Sequence, residues 1–160
     1  MKRYKNKIMT MCGFGDDLAV FSACKRLQVG CVIFPTDCSA VYSIGYNGPA
    51  RGIPNDSCTG EATQCGCAHA EANAISKLNP DVLRPCLIYT TTEPCPVCTP
   101  LILNLAPPIV GILYNRKFRV SSRHLFEIRK IPVLRVSTLF TTENYDDILQ
   151  EWRKLGREYR

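Results

Sequence analysis

Three short β-rich runs dominate the second half of the chain, "CLIYTTT" at 86–92, "PIVGILY" at 108–114 and "IPVLRV" at 131–136, and helical stretches separate them. Strands joined through helices can return in the same direction, so these three are expected to lie parallel in one sheet. Upstream, "QVGCVIF" (28–34) and "SAVYSIGYN" (39–47) are separated only by "PTDC", which predicts an antiparallel hairpin. The sum is a mixed five-stranded sheet. Helices are predicted at 14–26, where acids come early and bases late, and at 69–78, 96–106, 121–130 and 141–155, the last opened by Thr142. The fold class is therefore α/β, a three-layer α/β/α sandwich. Residues 48–67, polar and rich in Gly and Cys, show no usable period and are expected to form a loop. There is no internal repeat or linker, and 160 residues at 46% hydrophobic are enough for one domain over 1–160.

Ten cysteines would suit a disulfide scaffold in a small secreted chain, but "MKRYKNKIMTMCGFGDD" has no apolar leader, so reduced thiols and a cytoplasmic setting are expected. The longest apolar run, "TPLILNLAPPIVGIL", is broken by Pro107 and Pro108 and falls short of the roughly 18–20 residues of a membrane span. No membrane partner is expected. Twenty Lys and Arg against fourteen Asp and Glu give +6, with the excess at the termini and in 115–130. Basic ends are commonly solvated tails, so charge alone does not imply a nucleic-acid partner.

The chemistry gathers around "CGCAHAEANAI" (65–75) and "EPCPVC" (93–98). Cys95 and Cys98 are three apart, so at a helix start both sulfurs can grip one tetrahedral metal. Two thiolates and one imidazole select zinc, and His69 is the natural third ligand, leaving a fourth position for water. Residues two apart share no face of a regular helix, so His69 and Glu71 converge only if the histidine stands at the helix entry. Thiolates weaken the Lewis acidity of the metal, so a base is needed beside the water, and Glu71 is placed to serve. Alone, C-x-x-C is as often redox-active or structural, and H-x-E is noise. Together, H-x-E and a later P-C-x-x-C form the known signature of zinc nucleobase deaminases.

With these residues the chain resembles the cytidine and deoxycytidylate deaminase superfamily over nearly its whole length. Within it, "SACKRLQVG" (22–30), "GYNGPARG" (45–52), "HAEANAI" (69–75) and "TTEPCPVC" (91–98) are most similar to bacterial and phage deoxycytidylate deaminases. The resemblance implies hydrolytic deamination of dCMP to dUMP by a zinc-activated water, feeding thymidylate synthesis, with Glu71 moving protons at N3 and at the departing ammonia. It implies that Asn47 meets the sugar. It also implies a homo-oligomer, dimer or hexamer, regulated by dCTP and dTTP with Mg²⁺ near the G-Y-N-G motif, where Gly48 and Arg51 are candidates. Because "TTEPC" occurs in tRNA adenosine deaminases too, a polynucleotide deaminase acting on tRNA or single-stranded DNA is the alternative.

Some members of that family carry a second, structural zinc. Here Cys24, Cys58, Cys65 and Cys67 would hold it, although small buried free thiols are the plainer reading. Cys12, Cys31, Cys38 and Cys86 read as core. Candidates for the phosphate are Lys25, Arg26, Arg51, Arg116, Lys117 and Arg119, each equally able to be a solvated charge. Tyr114 ends a strand where ligands of α/β sheets bind, though a packed core tyrosine explains it as well.

Overall fold

The structure is a computed structural model that describes all residues except 63, 106, 107, 140, 142–144 and 160. Five strands form its main sheet in the order β2-β1-β5-β6-β7: β1 (Gly30–Pro35), β2 (Ser43–Tyr46), β5 (Cys86–Thr92), β6 (Ile109–Arg116) and β7 (Val133–Arg135). The hairpin is antiparallel, β1 also runs antiparallel to β5, and β5, β6 and β7 are parallel, giving the mixed sheet read from the chain.

Side-chain alternation divides the core between the two faces. Val32, Phe34, Leu87, Tyr89, Leu113 and Leu134 pack against helices α1 (Lys2–Ala19) and α5 (Asp146–Glu158). Cys31, Ile33, Cys86, Ile88 and Ile112 face α2 (Ala70–Ser76), α3 (Cys98–Leu103) and α4 (Arg123–Ile128). The three layers follow. All seven residues of β5 are buried, as a strand covered on both faces must be. The approach of β2 to α2 is close enough that a Cβ at Gly45 would lie 2.1 Å from the Ala70 carbonyl oxygen, so only glycine lets that helix settle there.

Two expectations need correction. The first helix spans Lys2–Ala19 and not 14–26, and the basic N-terminus is no solvated tail. Tyr4, Ile8, Cys12, Gly15 and Leu18 are buried at spacings of three and four, a helical stripe laid on the sheet, while Lys2 and Arg3 are exposed, Lys5 pairs with Asp146 and Lys7 donates to the Asp37 carbonyl. Beyond the helix the chain turns, and the Asn47 carboxamide pins the non-helical segment leading to β1: its Oδ1 accepts from Ser22 Oγ at 2.7 Å and from the Val29 N–H at 2.8 Å, and its Nδ2 donates to the Leu27 carbonyl at 2.6 Å.

The second correction concerns 48–67, which is not wholly irregular. Two short strands, β3 (Gly48–Pro49) and β4 (Cys67–Ala68), pair antiparallel, and Asn55–Ser57 forms a 3-10 turn. The Thr142 opening of the last helix and the Pro107 break lie outside the described residues. Among the described residues no helix is long and apolar enough to cross a membrane.

Candidate active site

Strand direction decides where the site forms. Parallel β5 and β6 end at the same edge of the sheet, and antiparallel β1 begins there, with Cys31 opposite Thr90. Three segments therefore converge: the one entering β1, the one leaving β5 and the one leaving β6. They enclose a cleft of about 340 Å³ with the start of α2 at its floor.

His69 is the residue before α2, with extended φ −75° and ψ 153°, and Glu71 is the second residue of the helix, so both side chains line the cleft from the helix entry. Cys95 sits in the turn after β5, and Cys98 opens α3, its N–H donating to the Cys95 carbonyl at 3.1 Å. His69 Nδ1 lies 3.3 Å from each sulfur. For tetrahedral zinc with ordinary Zn–S and Zn–N bonds the N–S edge is about 3.6 Å. The donor set fits one zinc ion.

The local electrostatics suit thiolate ligation. A hydrogen bond from the Cys98 thiol, then one from His69 and the N–H groups of Cys98 and Val97, bring Cys95 down to about 4. Cys98 moves up, chiefly because it shares its proton with Cys95, and a cation held between them would favour the thiolate form of both. Cys95 in turn raises His69. Glu71 is 5% exposed, and burial pushes its carboxyl up to about 7, with the Cys98 thiol hydrogen-bonded to it.

A second cluster stands in the wall of the cleft. The sulfurs of Cys24, Cys58, Cys65 and Cys67 all lie within 4.8 Å of one another, and Cys24, Cys65 and Cys67 line the cleft. The Lys25 N–H, 3.4 Å from Cys58 Sγ, is the main reason that thiol falls to about 7, whereas burial and the neighbouring thiols raise Cys67. Four sulfurs this close cannot all ionise without a cation between them, so the set fits a closed four-thiolate zinc site. Cys12, Cys31, Cys38 and Cys86 are buried in the two core clusters.

The remaining candidates separate by position. Asn47 lines the cleft, and one N–H of its carboxamide is left beyond the bonds that pin 22–29. Arg26 and Arg119 reach the cleft; Lys25 and Arg116 border a neighbouring hollow that shares Arg26, and Lys117 and Arg51 line neither. Gly48 is taken up in the ladder to Ala68. Tyr114 is 2% exposed, is not among the described residues that line the cleft, and its hydroxyl accepts from Arg123. It packs and anchors.

The residue reading missed Phe118, Val120 and Glu93, all in the cleft wall. The available signals were the single aromatic inside "NRKFRV" and the acid two residues before Cys95 in "TEPC".

Residues 3–113 match the sequence model of the family described as the cytidine and deoxycytidylate deaminase zinc-binding region, and the chain belongs to that family. A relative in Mycobacterium phage D29, a deoxycytidylate deaminase, is 32% identical over 120 residues, covering 66% of this chain and 91% of the phage protein. A nematode relative, the "Probable deoxycytidylate deaminase" of Caenorhabditis elegans, is 32% identical over 111 residues, covering 64% of this chain and 56% of that protein. The chain thus spans little more than half the length of the nematode relative. Its fold is similar to that of the dCMP deaminase from the cyanophage S-TIM5, whose crystal structure is in complex with dCMP and dUMP, with TM-score 0.67 and 20% identity, covering 79% of this chain and 94% of that one.

Proposed function

We propose that this chain catalyses the hydrolytic deamination of dCMP to dUMP. One observation carries the reading: a buried carboxyl, Glu71, faces the same cleft as a His69, Cys95 and Cys98 set whose ligand atoms lie within 4.8 Å of one another. Zinc held by those three supplies the Lewis acidity that makes a water acidic near neutral pH. Glu71 would accept one proton from the attacking water and pass it to cytosine N3 as the water oxygen adds to C4, then carry the remaining proton of that oxygen to the amino group, so that the C4–N bond breaks, ammonia leaves and the C4 carbonyl forms. A carboxyl raised to about 7 by burial can accept and donate in turn.

Binding falls to the rim. Arg26 and Arg119 are the cations that line the cleft and are the proposed phosphate holders, Phe118 offers an aromatic face, and Asn47 has an N–H free for the sugar. The chain is proposed to act as one deaminase domain over 1–160, in the host cytoplasm if it is viral, with its product feeding thymidylate synthesis. The test is ammonia release from dCMP, deoxycytidine, dCTP and a tRNA. Arg119→Ala should raise KM for dCMP about 10-fold or more, the scale of a charge-assisted phosphate contact, and leave deoxycytidine unaffected. Turnover of tRNA but not of dCMP would establish the polynucleotide reading instead.

We also infer a homo-oligomer, dimer or hexamer, regulated by dCTP and dTTP with Mg²⁺ through the turn after β3. Support comes from its position: Gly48 pairs with Ala68, the neighbour of His69, so the pose of this turn is mechanically tied to the site. Arg51 is exposed beside Gly52, whose φ of +86° is left-handed. The check is dCMP saturation with and without each triphosphate and Mg²⁺, and superimposable hyperbolas would make the turn mere scaffold.

A further inference from the structure

The cleft wall that carries Phe118, Arg119 and Val120 is a short segment between β6 and α4, and a single residue ties down both of its ends. At the near end the Glu93 N–H donates to the Arg116 carbonyl at 2.8 Å, extending the β5–β6 ladder by one rung. At the far end Glu93 Oε1 accepts from Arg123 Nε at 2.6 Å and from Ser121 Oγ at 3.3 Å. Glu93 is 4% exposed while Arg123 is 36% exposed, so removing Arg123 would leave a buried carboxylate without its cation. Arg123 is itself steadied by the Tyr114 hydroxyl and ring, the guanidinium carbon lying 5.0 Å from the ring centroid. The adjoining Ser122 hydroxyl meets Thr99 Oγ1 at 2.6 Å and the Pro94 carbonyl at 3.3 Å, so the wall is laced to the turn that carries Cys95 and Cys98.

We propose that Glu93 is a positioning residue that fixes the 117–122 wall segment relative to the Cys95 and Cys98 turn and so sets substrate affinity. The proposal rests on the deaminase reading for its kinetic consequence, but not for its structural one. Glu93 is two residues from Cys95, yet its side chain bonds away from the sulfurs, to Ser121 and Arg123. Loosening it should disturb the wall, which holds Arg119 and Phe118, more than the metal ligands or Glu71.

The test uses the zinc-loaded chain and the variants Glu93→Ala, Glu93→Gln and Arg123→Ala, the last removing the same ion pair from its half-exposed side. Glu93→Ala and Arg123→Ala are expected to raise KM for dCMP about 10-fold or more, with kcat within about threefold and zinc content unchanged, the pattern of lost binding that does not distinguish ground from transition state. Glu93→Gln, which keeps the acceptor oxygen, should recover part of the loss. Trypsin supplies a readout that needs no activity: cleavage after Lys117 and Arg119 should be faster by about 10-fold or more in both alanine variants, because local opening exposes the segment. Unchanged KM and unchanged cleavage in folded Arg123→Ala overturn the proposal. So does loss of zinc with a fall in kcat while KM and cleavage hold, which would place Glu93 in support of the metal ligands. A wild-type protein that ignores dCMP refutes the substrate reading, and the cleavage comparison still decides the role of Glu93.

Discussion

Glu71→Ala is expected to lower kcat on dCMP by about 100- to 10,000-fold, the usual share of general acid-base catalysis, and to leave the zinc content as it is. The separation is the point of the experiment. Glu71 is buried and hydrogen-bonded to Cys98, but its role as proposed is proton transfer and not ligation, so metal analysis of the variant should match the native protein. His69→Ala and Cys98→Ala should do the reverse and lose the metal with the activity, since each contributes an atom to a set of three within 4.8 Å. Glu71→Gln keeps the shape and hydrogen-bonding capacity but cannot shuttle a proton, so it should be as inactive as the alanine variant. If Glu71→Ala retained more than about a hundredth of the native kcat, the carboxyl would not be the acid-base group.

Native protein prepared without chelators is expected to contain two zinc ions per chain, and Cys65→Ser or Cys67→Ser only one. The binding energy of a closed four-thiolate site is folding energy, because the unfolded chain does not bring Cys24 to Cys58. Even a loss of about 3 kcal/mol would lower Tm by roughly 6–12 °C in a chain of this size. Affinity for dCMP should fall as well, since Cys24, Cys65 and Cys67 stand in the cleft wall beside Arg26. Cys12→Ser is the control: that thiol lies in the core beneath α1, so its loss should cost stability and leave the zinc content at two. One zinc in the native protein would reduce the cluster to four neighbouring thiols.

Residues 14–26 look helical by charge order, yet the helix is Lys2–Ala19, because a buried stripe starting at Tyr4 outweighs the order of a few charges. After Ala19 the chain turns, and Asn47, distant in sequence, pins the non-helical stretch that follows through Ser22, Leu27 and Val29. The β3–β4 pairing joins two-residue strands across the Cys-rich turn, too short for any periodic signal.

What the sequence determined by itself is whatever depends on neighbours along the chain. The strand at 86–92, the hairpin, the parallel order implied by intervening helices, and the convergence of His69 with Glu71 and of Cys95 with Cys98 all follow from local period and spacing. Tertiary structure alone decided which of six cations reach the cleft, that the Tyr114 hydroxyl meets Arg123, and that Glu93 ties the wall. The physical reason is that these placements depend on where the ends of separate strands fall at one edge of the sheet. That position is set by the packing of both helical layers at once, and no short stretch of residues encodes it.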